Sequence, residues 1–438
     1  MFIRFVIMIN TAALYEIFLA HPSICTDSRK LRSGDLFFAL KGQNFNGNQY
    51  ASEALENGAS YAVVDEEIPN ARHADRILPV ADVLSSLQAL AGYHRDQFSI
   101  PFIGITGSNG KTTTKELIHA VLSEKYNTYT TEGNLNNHIG IPLTLLKIKK
   151  DAEMAIVEMG ANHLREIAGY CVYTRPTHGI ITNCGKAHLE GFGSVEGVRK
   201  GKGELYDYLR SHGGSAFVMW DYDYLRDMSK GIPEIISYGT ADASVTGVEE
   251  SSAPYLRIRM TGGVYLDHIQ TQLTGNYNLP NVLAAITIGN YFHVDPPAIR
   301  QGIERYAPSN SRSQLIKSGS NSIVLDAYNA NPSSMKLAIE HFSRFPADDR
   351  ILLLGAMAEL GEESLAEHEQ IIRQISSSPW KEVILVGGDF LQLKHPYRTF
   401  PNVEEVTKWL KTQSFRNTAF LLKGSRSMQM EKALEGLK

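Results

Sequence analysis

Pro101 opens an apolar run, Phe102-Ile103-Gly104-Ile105, that passes directly into Thr106-Gly107-Ser108-Asn109-Gly110-Lys111-Thr112 and then into a helical pattern. No other feature limits the fold as strongly, because a strand, a glycine-rich turn and a helix in this order form a cradle for phosphate. The glycines let backbone N–H groups wrap around phosphate oxygens, and the N-terminus of the following helix favours negative charge. Lys111 is expected to reach the β- and γ-phosphates, and Thr112 to offer its hydroxyl to Mg²⁺. Gly107, Ser108, Asn109, Gly110, Lys111, Thr112 and Thr113 are the candidate nucleotide-binding residues. The run departs from the common G-x-x-x-x-G-K-[ST], since Ile105 stands at the first glycine position and the form is the shorter T-G-x-x-G-K-T. Its setting between strand and helix weighs against the bland alternative, a turn that binds nothing. The loop alone names no reaction, because kinases, GTPases and motors use the same device.

A chain of 438 residues is too long for one hydrophobic core, so two or three domains are expected. With 43 basic against 47 acidic residues there is no basic excess to suggest nucleic acid. Cys25, Cys171 and Cys184 lack metal-ligand spacing and read as reduced thiols, which points to a reducing compartment. The apolar start, Met1 to Asn10, is too short to span a membrane and has no small-residue cleavage site. It reads as a helix or strand docked on the first domain, so no membrane insertion is expected and the cytoplasm is the default location.

Three regions separate by texture, and together they predict an α/β protein of three domains. Residues 1–98 form a smaller N-terminal α/β domain, with Gly and Asn turns and a closing helix from Val83 to His94 that sets Leu84, Leu87, Leu90 and Ala91 on one face. Residues 99–307 hold the phosphate loop and further strand patterns at Ala155–Val157, Gly179–Thr182 and Ala216–Met219, with helical patterns between them. That alternation predicts a mainly parallel sheet. Near residue 255 the pattern changes. Leu256, Ile258 and Met260 alternate with Arg257 and Arg259 and turn at Thr261-Gly262-Gly263 into Val264–Leu273, which reads as an antiparallel hairpin. Ala307–Ser311 reads as a linker. Residues 308–438 restart the alternation, with four buried parallel strands at Ile323–Leu325, Ile351–Leu354, Val383–Val386 and Ala419–Leu422. Ligands bind at the carboxyl ends of such strands.

The phosphate loop continues as Thr112-Thr113-Thr114-Lys115-Glu116. It is followed by Thr131-Glu132-Gly133-Asn134-Leu135-Asn136-Asn137-His138-Ile139-Gly140, by Glu158-Met159-Gly160-Ala161-Asn162, and by Asn183-Cys184-Gly185-Lys186-Ala187-His188-Leu189-Glu190. This series resembles the Mur ligase family, which builds the peptide stem of peptidoglycan. Asp326-Ala327-Tyr328-Asn329-Ala330-Asn331-Pro332 and Lys423-Gly424-Ser425-Arg426-Ser427-Met428 look like the member that adds D-alanyl-D-alanine to UDP-N-acetylmuramoyl-tripeptide. Thr26-Asp27-Ser28-Arg29 resembles the family's UDP-sugar-binding segment. The likeness runs from about Cys25 onward, and it implies a Rossmann-like last domain.

The resemblance implies ATP, two Mg²⁺ ions and a lysine carbamylated by CO₂. Glu158 is implied as a Mg²⁺ ligand with Thr112, a role that suits a hard carboxylate oxygen. A solvated strand-end glutamate is the bland alternative. His188 is implied at a second Mg²⁺, where a lone histidine would otherwise be read as a structural hydrogen-bonder. Lys202, in Lys200-Gly201-Lys202-Gly203-Glu204, is implied as the carbamate that turns a cation into an oxygen ligand, against the plain reading of a solvated charge run. Lys111, His188 and Lys202 are thus the expected catalytic set. Asn278 and Asn281 match an adenine-contacting run in which Tyr277 replaces the usual His, or they cap the helix beginning near Leu279. Arg312 is implied at the ATP phosphates and Asp326 at the ribose hydroxyls, with an interdomain salt bridge or a loop cap as the plain alternatives. Ser28, Arg29, Asn134, Asn136 and Asn137 are implied on the UDP-sugar side, and Asn329, Asn331, Lys423, Ser425 and Arg426 around the incoming dipeptide. Ala356 stands where the family has an Asp, and Arg165 where a Gly is common.

The expected protein is a monomer with UDP-N-acetylmuramoyl-tripeptide and D-alanyl-D-alanine as its partners and no nucleic acid. Its expected reaction phosphorylates a carboxylate and lets an amine displace the phosphate. Folylpolyglutamate synthase shares the central fold but lacks a UDP-binding domain like residues 25–65. A phosphate-loop switch would hydrolyse ATP without needing an amine.

Overall fold

Apolar side chains on every position of a strand require cover on both faces, and the last third of the chain meets that demand. The computed structural model describes residues 8–69 and 72–437. Here six strands run in the order Gln314–Ser318, Asn321–Asp326, Thr418–Lys423, Asp349–Gly355, Glu382–Val386 and Arg398–Phe400. All neighbours are parallel except the first pair, an antiparallel hairpin. Alternate residues of each strand feed separate cores. Val324, Leu352, Leu354 and Leu421 pack with the helices Pro332–Phe342 and Ser364–Ile375. Ile323, Leu325, Ile351, Leu353, Phe420 and Leu422 pack with Val403–Leu410 and the turn Met430–Gly436. The four strands expected from sequence are all present. The two edge strands escaped because one is only half-buried and carries Gln314 and Lys317, and the other has three residues.

By compactness the chain divides into two units. The first comprises Met1–Ile103, Tyr129–Gly160 and Ala168–Thr177, the second Gly104–Thr128, Ala161–Ile167 and His178–Lys438. In the first unit Ile24–Cys25, Leu36–Phe38, Tyr61–Val64 and Ile77–Pro79 form a parallel sheet. The expected helix spans Val83–Arg95, with Asp82 as its N-cap; Val83, Leu87, Leu90 and Ala91 are buried, while Leu84 sits at the margin. The docking element expected at residues 1–10 falls mainly on 1–7, outside the described residues; Asn10 caps a helix at Thr11–Ala20.

The sheet that carries the phosphate loop has Phe102–Thr106, His178–Ile181, Ser215–Met219, Glu234–Gly239, Val245–Ser251, Arg257–Gly262 and His268–Gln270 as successive neighbours. Pairing from His178 through Val245 is parallel, then turns antiparallel. The hairpin predicted near residue 255 is therefore part of a three-stranded antiparallel edge, since Arg257–Gly262 pairs on both sides. Its return strand is short: only His268–Gln270 is paired. Ile258 and Met260 point inward while Arg257 and Arg259 are exposed, as the alternation required. Among the described residues no helix is long and apolar enough to cross a membrane.

Candidate active site

The strand Phe102–Thr106 is buried at every residue, and it delivers the chain to the loop at its carboxyl end. Two glycines shape that loop. Gly107 has φ +144°, and a Cβ there would lie 2.0 Å from Thr182 Oγ1. Gly110, at φ +80°, caps the helix Lys111–Leu122, and a Cβ would come within 2.6 Å of Asn281 Oδ1. Neither position tolerates a side chain.

The neighbouring strand end grips this loop. Ser108 N–H donates to Asn183 O (2.8 Å), and Asn109 N–H donates to Asn183 Oδ1 (3.0 Å). Thr182 Oγ1 (2.6 Å) and Asn183 Nδ2 (3.0 Å) both donate to Asn109 O. Thr182, which ends a strand pattern, and Asn183, which opens a family motif, were not assigned site roles from sequence. Lys111 Nζ curls back to donate to Gly107 O (2.7 Å), so the loop holds a cation close to its own centre.

A buried chain of hydrogen bonds leads away from the loop. Thr114 Oγ1 donates to Asn281 Oδ1 (3.0 Å), Asn281 Nδ2 to Asn278 Oδ1 (2.9 Å), and Asn278 Nδ2 to Thr274 O and Ser313 Oγ. Asn278 and Asn281 come together as expected, with these side-chain groups already engaged internally. Tyr277 approaches Ser313 Oγ through its hydroxyl and sets its ring edge-on to His341. Ser313 N–H donates to Asp326 Oδ1 (3.2 Å), and Asp326 Oδ2 accepts from Lys423 Nζ at 2.5 Å. The carboxylate expected at the ribose thus ties the linker to the last strand. Arg312 lies over the Tyr328 ring, its guanidinium carbon 3.6 Å from the centroid.

The strand-end loops of the six-stranded sheet meet the phosphate loop. Asn331 opens the helix Pro332–Phe342 with a capping box and donates through Nδ2 to Asn109 Oδ1 (2.8 Å). Ser333 Oγ accepts from Lys186 N–H (3.1 Å), and Lys186 Nζ pairs with the buried Glu367 at 2.5 Å. His188 Nδ1 lies against the Glu359 carboxylate, and each residue has a left-handed backbone, φ +53° and +62°. The histidine beside it holds the Glu359 carboxyl below the usual carboxylate range. Lys186, Glu359 and Glu367 meet only through the fold, and sequence alone did not flag them as site residues. In the loop after the last strand, Thr418–Lys423, Ser425 Oγ donates to Ala356 O (2.7 Å), and Arg426 pairs with Glu431 (2.7 Å). Asn329 O accepts from Lys423 Nζ (3.3 Å).

Lys202 lies on the helix Val195–His212 with no exposed surface and donates to Ala161 O (2.7 Å). Burial, with Lys111 nearby, pulls its amine down to about 7. Among the described residues it has no carboxylate partner. Arg165, where a glycine is common in the resembled family, has φ +71°, a conformation that normally favours glycine; its N–H donates to Glu204 Oε1 (2.6 Å).

In the first unit Asn136 Nδ2 donates to Glu158 Oε1 (2.8 Å), so two expected site residues touch each other directly. Asn137 Oδ1 accepts from Ile139 and Gly140 N–H, and Asn134 O from Asn136 N–H. Ser28 begins a short 3₁₀ turn capped by Asp27. Arg29 binds Asp27 through two nitrogens and holds that carboxyl at about 2.

Three family patterns match the chain in order. One described as Mur ligase family, catalytic domain, covers residues 22–95; Mur ligase middle domain covers 105–289; and Mur ligase, glutamate ligase domain, covers 311–426. The UDP-N-acetylmuramoyl-tripeptide--D-alanyl-D-alanine ligase of Bacillus subtilis (strain 168) is 32% identical over 98% of this chain and 97% of its own. A crystal structure of MurF from Acinetobacter baumannii superposes with a TM-score of 0.87 at 30% identity, covering 95% of this chain and 93% of that one. The MurF ligase of Thermotoga maritima in complex with ADP gives 0.85 at 27% identity, covering 95% and 97%.

Proposed function

The chain belongs to the Mur ligase family, and from that premise we propose that it is an ATP-dependent ligase joining D-alanyl-D-alanine to UDP-N-acetylmuramoyl-tripeptide, giving the pentapeptide precursor of peptidoglycan. A carboxylate and an amine do not condense in water unaided. The tripeptide's terminal carboxylate attacks the γ-phosphorus of ATP, releasing ADP and leaving an acyl phosphate. The dipeptide's amine then attacks the acyl carbon, and the tetrahedral intermediate expels phosphate. The protein contributes position and charge neutralisation.

The observation that carries this reading is the hydrogen bond from Asn331 to Asn109. It joins a residue expected beside the dipeptide to the loop expected to hold the phosphates. Lys111 neutralises the transferring group, Arg312 approaches the phosphates, and Asn278, Asn281 and Asp326 line the nucleoside side. Asn329, Lys423, Ser425 and Arg426 take the dipeptide, while Ser28, Arg29, Asn134 and Asn137 serve the UDP-sugar. This reading assigns residues 1–98, 99–307 and 308–438 to UDP-sugar, ATP and dipeptide, on a monomer working in the cytoplasm.

Two Mg²⁺ ions, when bound, spread the phosphate charge. Thr112, Glu158, His188 and Lys202 are the proposed holders. Among the described residues no three His, Cys, Asp or Glu side chains gather into a cage. Mg²⁺ needs none, since it takes one or two carboxylates and completes its shell with phosphate and water. Lys202 fits the carbamate role through its burial, its lowered basicity and its lack of a carboxylate partner. A neutral amine adds to CO₂, forming a C–N bond and releasing a proton.

Phosphate release from ATP with UDP-tripeptide, measured with and without D-alanyl-D-alanine, tests the function. Release should require the dipeptide, and free L-lysine or diaminopimelate should not replace it. Equal release without any amine would show a switch instead of a ligase.

A further inference from the structure

Arg312 is held in an unusual way. The residues on both sides of it, Ser311 and Ser313, have left-handed backbones at φ +58° and +49°. Such conformations cost energy in residues other than glycine and persist where the surrounding structure imposes them. Between them Arg312 lies over the Tyr328 ring, with its guanidinium carbon 3.6 Å from the ring centroid. Its buried Nε finds no acceptor among the described residues, so the contact with the ring is the one the structure records for this side chain. A second guanidinium reaches the same ring: the Arg426 carbon lies 5.7 Å from that centroid. Two cations on one side chain would repel each other; the negative face of an aromatic ring offsets this.

The backbone around Tyr328 is pinned to both partners. Tyr328 N–H donates to Ser311 O (3.2 Å), and Asp326 Oδ1 accepts from Ser313 N–H. On the other side Asn329 Oδ1 accepts from Arg426 N–H (3.4 Å), and Lys423 bridges Asp326 Oδ2 and Asn329 O. The segment from Asp326 to Asn329 therefore spans from the linker to the loop after the last strand, with the ring at its middle.

We propose that Tyr328 is a positioning residue that holds Arg312 for the nucleotide phosphates and Arg426 for the carboxylate of the incoming dipeptide, so that one ring sets the geometry of two substrate sites. The proposal rests on the ligase reading for the roles of the two arginines. A bound phosphate that fixes Arg312 also fixes the ring against which Arg426 rests, and the coupling is reciprocal.

The test is a set of KM values for ATP, D-alanyl-D-alanine and UDP-tripeptide in the full-length protein. Tyr328→Leu should raise KM for ATP and for the dipeptide about fivefold each, the scale of one partly exposed cation–ring contact, while KM for UDP-tripeptide moves less than about twofold. Tyr328→Phe, which keeps the ring, should recover most of that loss. In an Arg312→Ala background the leucine substitution should still raise the dipeptide KM but no longer the ATP KM, and an Arg426→Ala background should show the converse. If both arginine variants weaken their substrates but Tyr328→Leu weakens neither, the proposal is overturned while the ligase reading stands. If Arg312→Ala leaves ATP unaffected, the assignment of that site fails and the proposal with it. Phenylalanine as damaging as leucine also overturns it, because the hydroxyl would then be the holding group. Should the leucine variant lose its cooperative melt, Tyr328→Met carries the same test.

Discussion

Two lysines with almost no exposed surface, Lys202 in the loop-bearing region and Lys423 in the six-stranded region, are held in opposite ways. Lys423, 2% exposed, meets the Asp326 carboxylate at 2.5 Å and two backbone carbonyls. Lys202, 0% exposed, meets one carbonyl and, among the described residues, no carboxylate. A buried ammonium without a counter-charge is strongly disfavoured, so such a group sheds its proton or acquires a partner. Lys423 has its partner in the fold, which fixes its charge beside the proposed dipeptide site. Lys202 has no such partner among the described residues, and on the proposed reading CO₂ would supply the negative charge. Burial alone therefore does not decide what a lysine is for; the presence of a carboxylate does.

The sharpest way to break this contrast is at Lys202. Lys202→Ala should lower kcat about a thousandfold, comparable with deleting a preorganised transition-state contact. Formate or acetate should restore part of it by filling the vacated site. Lys202→Arg should stay inactive, because it keeps the charge and cannot form a carbamate. Lys200→Ala, on the exposed side of the same helix, should change kcat by less than about twofold. Parent-like turnover in Lys202→Arg would make the residue an ordinary cation and erase the distinction. At Lys423, which the proposed function also sets at the dipeptide, the expected loss is in stability as well as in the dipeptide KM. Lys423→Met leaves Asp326 without its cation and should cost about 3–5 kcal/mol in denaturant unfolding, with Asp326→Asn added to it recovering part. If the single substitution is neutral, Lys423 is no structural cation.

How much of this was legible in advance differs between the same two sites. Lys423 closes the run Ala-Phe-Leu-Leu, and a polar residue at the carboxyl end of a buried parallel strand reads directly as a site residue. Lys202 stands in a run that looks solvated. Yet the helix carries Val198, Lys202, Leu205, Tyr206 and Leu209 on its buried stripe while Lys200 is exposed. That spacing of four, three, one and three follows the helical period and places Lys202 among apolar residues. The resemblance to a known family singled out Lys202 as a site residue; the periodicity alone places it on the buried stripe and assigns it no role. The parallel strands were legible for a similar reason, since burial on both faces leaves continuous apolar runs. His188 with Glu359 and Lys186 with Glu367 were not legible as pairs. Each joins residues far apart in sequence, and no local pattern encodes which loop ends will meet. Left-handed backbones at Arg165, Ser311 and Ser313 escaped too, because nothing in an Arg or Ser announces positive φ.

The smallest expected effect is the most direct probe of what Lys202 carries. An unfolded lysine titrates near 10.5, whereas burial brings the folded amine down to about 7. Between those values the unfolded chain binds a proton that the folded chain does not, so stability rises with pH across that window and is flat below it. In CO₂-free buffer the parent should therefore gain stability over Lys202→Met as pH is raised from 7 toward 10. The Lys202→Met variant provides the subtraction that removes every other titrating group. Dissolved CO₂ then adds a second, separable term. Carbamate formation binds CO₂ to the folded state, and any ligand of the folded state stabilises it by mass action. At CO₂ near its dissociation constant this amounts to about 0.4 kcal/mol, roughly half a degree in the melting temperature. Because a proton is released, the shift at fixed dissolved CO₂ should grow as pH rises through 7. Lys423→Ala should retain the CO₂ effect and Lys202→Met should lose it. An equal CO₂ response in parent and Lys202→Met would place the carbamate elsewhere or nowhere, and the two buried lysines would then differ in packing alone.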